Sequence, residues 1–231
     1  MSIKLFRSFF IAGVIASLLL ILFGKMLVPQ ENLFGFVGAI LIMMIYGTTA
    51  SFLSQVPPNA IPFGIAAGTV FATEMVAEYV MLPKDNTVYG YVEFAAVFLI
   101  YLSAGALTSY RTKSIKSGIW SAVWAAMISS LIWVVVVLAV FYIFRGTPEQ
   151  TKVFLAEGNY IDFLRSNEKN FNIWIMEDFM GAVFYHSLLG PFIALILGFI
   201  GGLVSKGMLK LPRPAHQKDA KVTRTAGRRR D

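Results

Sequence analysis

Glu74 and Glu78 stand four residues apart in a stretch that is otherwise free of charge. On a helix that spacing puts both carboxylates on one side. A carboxylate in such a run can hold a cation or a proton, or pair with a neighbouring helix. Near the centre of a bilayer it costs at least about 2.5–3.5 kcal/mol, so it is expected to face protein or water. Lys25, Glu93 and His186 interrupt apolar stretches in the same way. These five side chains form a candidate ligand- or ion-binding set. Glu74 and Glu78 would be its deep acids, His186 a titratable partner and Lys25 a counter-charge. In the plainer alternative, Lys25, Glu78 and Glu93 sit at headgroup level and His186 makes a polar contact between helices.

Other chemistries find less support. The chain has no cysteine, which removes disulfides, thiolate metal sites and thiol nucleophiles. A Glu-x-x-x-Glu pair without His-x-x-x-His or Glu-x-x-His spacing is a poor metal signature, so no metal and no cofactor are expected. His186 and Ser187 are neighbours, but adjacent helical residues diverge by about 100° and make no nucleophile–base pair. There is no G-x-S-x-G, H-E-x-x-H or phosphate-binding glycine loop. The expectation is a protein that is not an enzyme, with an intramembrane enzyme as a remote alternative.

The elements that carry these residues must be membrane helices. Apolar residues make up 57% of the chain and charged residues 14%, against roughly 45–50% and about 25% in soluble proteins. The apolar residues come in long blocks, and crossing the hydrocarbon takes about 20 of them in a helix. Six blocks qualify, near 9–28, 33–56, 61–82, 89–110, 119–144 and 181–204. Pro29, Pro57, Pro58 and Pro83 punctuate them. The blocks do not alternate in polarity, which excludes barrel strands. In lipid, helices remain.

Lys and Arg fix the expected orientation. Lys4 and Arg7 precede the first helix, Arg111, Lys113 and Lys116 fill the fourth connection, and a basic tail follows the sixth helix. Six crossings place all three regions on one side, so both termini are expected in the cytoplasm and the chain in the cell (inner) membrane. A cleaved signal peptide is the rival reading of the first block, but Gly24-Lys25-Met26-Leu27 lacks an A-x-A-like site. With this orientation the candidate set occupies the outer half of the membrane, and the inner half has no ionisable residue within the spans.

Two G-x-x-x-G pairs, Gly64 with Gly68 and Gly198 with Gly202, are read as helix-packing faces. Gly64 and Glu78 fall within roughly 40° of each other around the third helix, so that side faces the bundle. Pro191 frees a carbonyl near Ser187 and would kink the sixth helix as a packing device or a hinge.

The domain division is a transmembrane helical domain over 1–205 and a basic cytoplasmic tail over 206–231. Within the first, 145–180 is an outer interfacial segment. Thr147-Pro148-Glu149-Gln150 opens it with a capping-box pattern. Apolar and charged residues then interleave, as in short amphipathic helices on the membrane surface or a lid over the outer mouth. The tail holds nine basic and two acidic residues, which account for the whole net charge of +7. It is expected to be disordered and to lean on anionic lipid headgroups, with no nucleic-acid partner.

In size, helix number and inside termini the chain resembles the substrate-binding membrane components of vitamin-uptake transporters. That resemblance is one of topology and implies a transport role. The expected fold is an all-α polytopic bundle. The expected function is solute binding or transport, or an accessory role beside other membrane subunits, with a purely structural assembly subunit as the alternative.

Overall fold

Long apolar blocks between prolines become helices, and the computed structural model describes residues 2–28, 34–81 and 87–210. The elements are α1 (Ile3–Leu27), α2 (Phe34–Phe52), α3 (Ala60–Met81), α4 (Thr87–Thr112), α5 (Ile115–Ile143), α6 (Pro148–Ala156), α7 (Asn159–Arg165) and α8 (Phe171–Lys210). No strand occurs among the described residues. Helices α1 to α5 and α8 are each long and apolar enough to cross a membrane, and the protein is a polytopic transmembrane bundle. Phe9, Leu19, Leu99 and Phe192 are exposed around its waist, as a lipid-facing surface requires. The expected turns near 29–32 and 83–86 and the tail beyond 210 lie outside the described residues.

Helices α5 and α8 form the centre, with α2 beside α8, α3 against α5, and α4 against both. Around Trp124, fully enclosed, Phe6 and Phe10 pack edge-on at 5.6 and 5.2 Å. Elsewhere the helices touch through glycine. A Cβ on Gly64 would stand 2.7 Å from Ile128 Cβ, and one on Gly105 would stand 2.6 Å from the Cα of Gly198. The pairs expected at Gly64/Gly68 and Gly198/Gly202 do lie at helix contacts, with α5 for the first and with α4 and α5 for the second. Gly105, which stands alone in the sequence, completes the second contact.

At the end of the bundle that carries Ser2, here the near end, Asn59 turns the chain with φ of 60°. Its amide donates to Thr108 Oγ1 at 2.9 Å and its carbonyl oxygen accepts from Arg111 at 3.2 Å. Thr108 reaches Ser121 Oγ at 3.0 Å. The α2–α3 and α4–α5 turns are thereby tied together.

The opposite, far end departs from the sequence expectation. The interfacial segment stops at 170 rather than 180, because α8 starts at Phe171 and runs for 40 residues. Glu177 and Asp178 break the apolar pattern there and hid its first turns. Those turns nevertheless have a core to enter: Ile175, Met176 and Met180 are buried, and Gly24 and Gly35 let α1 and α2 approach them. At 1.5 Å per residue α8 measures about 60 Å, twice the roughly 30 Å of hydrocarbon. Its projecting part meets α6 and α7, which cap this end.

Candidate functional site

The acids gather at the far end. Glu78 and Glu93 are buried at 6% and 8% relative exposure, inside the bundle rather than toward lipid. Glu74, one turn from Glu78 on α3, is half-buried and within hydrogen-bonding reach of both Glu78 and Glu93. Ionised carboxylates only accept hydrogen bonds, so acids this close repel one another when all are charged.

Beside this cluster lies a cavity of about 160 Å³. Its walls come from four elements, and local sequence explains each. Trp133, Val137 and Val140 follow one face of α5 at helical spacing, and Asp178, Phe179 and Ala182 do the same on α8. Helix α3 contributes Glu78 and Tyr79, and the α6–α7 turn contributes Glu157 and Asn159.

The turn is held by the start of α6. Thr147 Oγ1 caps the helix by accepting from the Gln150 amide at 3.3 Å. The reciprocal half of the capping box is shifted by one residue: Gln150 Oε1 accepts from the Gly146 amide at 2.9 Å. Gln150 Nε2 donates to the Phe141 carbonyl at 3.3 Å, which ties α6 to the end of α5. One turn on, Val153 packs with Tyr79 and Val140 in a small core of its own. Glu157 follows one turn later. Gly158, at φ of 79°, then swings the chain into α7 in a left-handed conformation that side chains with a Cβ rarely adopt.

Three carboxylates from three elements thus border the cavity, Glu78, Glu157 and Asp178, with Trp133, Tyr79 and Phe179 as aromatic walls. The Glu157 carboxyl accepts from Asn159 Nδ2 at 2.9 Å. Glu157 is exposed at the cavity's edge, and there desolvation by neighbouring groups, and then the charge of Glu78, push its pKa up to about 7, which the Asn159 hydrogen bond partly opposes. The folded protein therefore holds this proton more tightly than the unfolded chain. The fold loses stability as pH rises from the ordinary carboxylate range through about 7, by an amount that solvent screening of this exposed side chain keeps small.

Of the side chains singled out in the sequence, only Glu78 borders the cavity; Glu74 and Glu93 stand behind it. His186 lies against its floor, stacked on Trp133 at 4.1 Å with Phe71 edge-on at 4.7 Å, and its Nε2 has no hydrogen-bond partner. Lys25 is elsewhere, with Nζ 5.6 Å from the Phe36 ring centre. Pro191 sits inside α8, and the Ser187 carbonyl one turn back accepts from the Tyr46 hydroxyl at 2.7 Å. Among the described residues, no group of three or more His, Asp or Glu side chains is arranged to hold a metal ion.

Glu157, Asn159 and Trp133 carried no sequence signal. Acids in a mixed-charge segment read as solvated, and one Trp in a uniformly apolar helix offers no contrast. A capped helix at Thr147 ending in an acid was the one available clue to Glu157.

No family model, curated protein or solved structure matches the chain, so what it does has to be read from this site.

Proposed function

We propose that the protein is a solute-binding membrane subunit of the transport type whose ligand is a small organic cation. The observation that carries this reading is the far-end cavity, bordered by three carboxylates and three aromatic rings. Its volume of about 160 Å³ is close to that of an apolar cavity that holds benzene, which corresponds to a ligand of about six non-hydrogen atoms. Aromatic faces attract an ammonium group through the ring quadrupole, and carboxylates supply the opposite charge. Carboxylates that do not converge as metal ligands favour a diffuse ammonium charge over a bare metal ion.

The charge distribution supports an orientation. Lys4, Arg7, Arg111, Lys113, Lys116 and Lys206 lie toward the near end without a described acid, whereas in the far half Lys25, Arg145, Lys152, Arg165 and Lys169 are mixed with all the described Asp and Glu. Basic ends stay in the cytoplasm, so the cavity faces out and the termini lie inside the cell membrane. Glycine and alanine contacts around Gly105, Gly198 and Ala122 pack the near half closely, which favours one-sided binding over passage by this chain alone. An accessory role beside other membrane subunits is compatible with this, and one observation favours it. A lateral apolar groove of about 690 Å³ lies between α1 and α3, floored by α5.

Titrating the purified protein with tetramethylammonium, read by tryptophan fluorescence, tests the proposal. Binding is expected to strengthen as pH rises through about 7, because Glu157 must lose its proton to face a cation. Glu157→Gln should abolish that pH step and Glu78→Gln should weaken binding about tenfold or more, the loss of one buried charge partner. Binding that ignores pH and both substitutions would dismiss the cavity as the site.

A further inference from the structure

A second, larger groove of about 840 Å³ opens at the near end, between the C-terminal part of α2 with its following loop and the start of α5. Its lining changes character along its length. Thr49, Gln55, Lys116 and Ser117 give it a polar part, while Phe52, Trp120 and Trp124 make the rest apolar. Phe52 and Trp120 are exposed, and Trp124 closes the floor. Leu53, also in the lining, is held from behind, where its carbonyl accepts from the Arg7 guanidinium. No described carboxylate lies at this end of the bundle.

We propose that this groove binds one anionic phospholipid, with the phosphate near Lys116 and the upper acyl chain along Phe52 and Trp120. Two features argue for a lipid. The site lies where the spans end, so its polar part meets headgroups and its apolar part meets hydrocarbon. A free anion would leave the apolar walls in water, and a zwitterionic lipid would bring no net charge to a rim that has a lysine and no acid. Anionic lipid is also concentrated on the side where basic ends reside, at about 1 kcal/mol per basic residue.

Native mass spectrometry on the detergent-purified full chain, with phosphatidylglycerol and phosphatidylcholine offered together, tests the site. One phosphatidylglycerol is expected to be retained in preference. Lys116→Gln should lower that retention roughly fivefold, the fold-change equivalent to one such basic contact. Trp120→Ala, which keeps every charge, should lower it as well. Lys113→Gln removes the same charge from a residue that lies over the Tyr110 ring at 4.6 Å, outside the groove, and should leave retention unchanged. Equal retention of the two lipids would overturn the proposal. Equal losses in Lys113→Gln and Lys116→Gln would do so too, because they would mean diffuse attraction rather than a built groove. Each variant's thermal unfolding midpoint separates lost lipid from lost fold.

Discussion

Gly198→Val is expected to cost about 3 kcal/mol of stability, with the loss read as a lower midpoint in a denaturing-detergent titration followed by circular dichroism. Gly198 lies where three helices meet. A Cβ there would stand 2.8 Å from Ala122 Cβ and 3.1 Å from Ile119 Cα on α5, and on α4 Gly105 approaches its backbone. The obstacles are a backbone atom and the first atom of a short side chain, so no rotamer change relieves them. Overpacking a closed core typically costs about 1–3 kcal/mol, and valine adds two methyl groups to a Cβ that already collides with α5. Association in lipid depends on such close approach, since burying apolar surface gains little there. Gly13→Ala is the matched control: its new Cβ would meet Leu131 at 3.4 Å, an ordinary contact, and stability should hold within about 0.5 kcal/mol. Equal behaviour of the two variants would refute the close-packed junction.

The second large effect concerns the proline in α8. Pro191 has no amide hydrogen, so the Ser187 carbonyl four residues earlier loses its usual donor. No water is available in the hydrocarbon to replace it. The Tyr46 hydroxyl, buried and reaching over from α2, supplies the missing donor at 2.7 Å. Tyr46→Phe therefore leaves a buried carbonyl unsatisfied and should destabilise by about 1–3 kcal/mol. A double-mutant cycle gives the claim its edge. In a Pro191→Ala background the helix can regain its own donor, and Tyr46→Phe should cost much less. The same cost in both backgrounds would show that Tyr46 contributes by packing alone. A residue that both satisfies and anchors this point makes Pro191 a pinned position in α8.

Much of the fold was legible in the sequence, because a bilayer imposes a length on every apolar block. The six spans followed from that length and from the shared parity of Arg7, Arg111 and the basic tail. The start of α8 did not, since Glu177 and Asp178 ended the apolar count ten residues late. Whether such a helix continues depends on what the rest of its turn packs against, and Gly24 and Gly35 supply that only in three dimensions. The candidate site divides in the same way. Glu74, Glu78 and Glu93 stand out as charges in apolar surroundings. Trp133 and Glu157 are ordinary for their neighbourhoods and become parts of a cavity only when α5 and the α6–α7 turn converge. His186 and Lys25 are equally conspicuous in the sequence. Helix rotation then set one against the cavity floor and the other beside Phe36, and a single sequence does not carry that rotation.

Calorimetric titration of the full chain with choline and with its neutral carbon isostere, dimethylbutanol, above the Glu157 titration range bears most directly on the far-end cavity. The two ligands match in shape and differ in charge. Carboxylates and ring faces beside the ammonium predict about tenfold tighter binding of choline, from cation–π attraction of about 1–2 kcal/mol before any contribution from the acids. Equal affinities, or a preference for the neutral compound, would contradict a cation site.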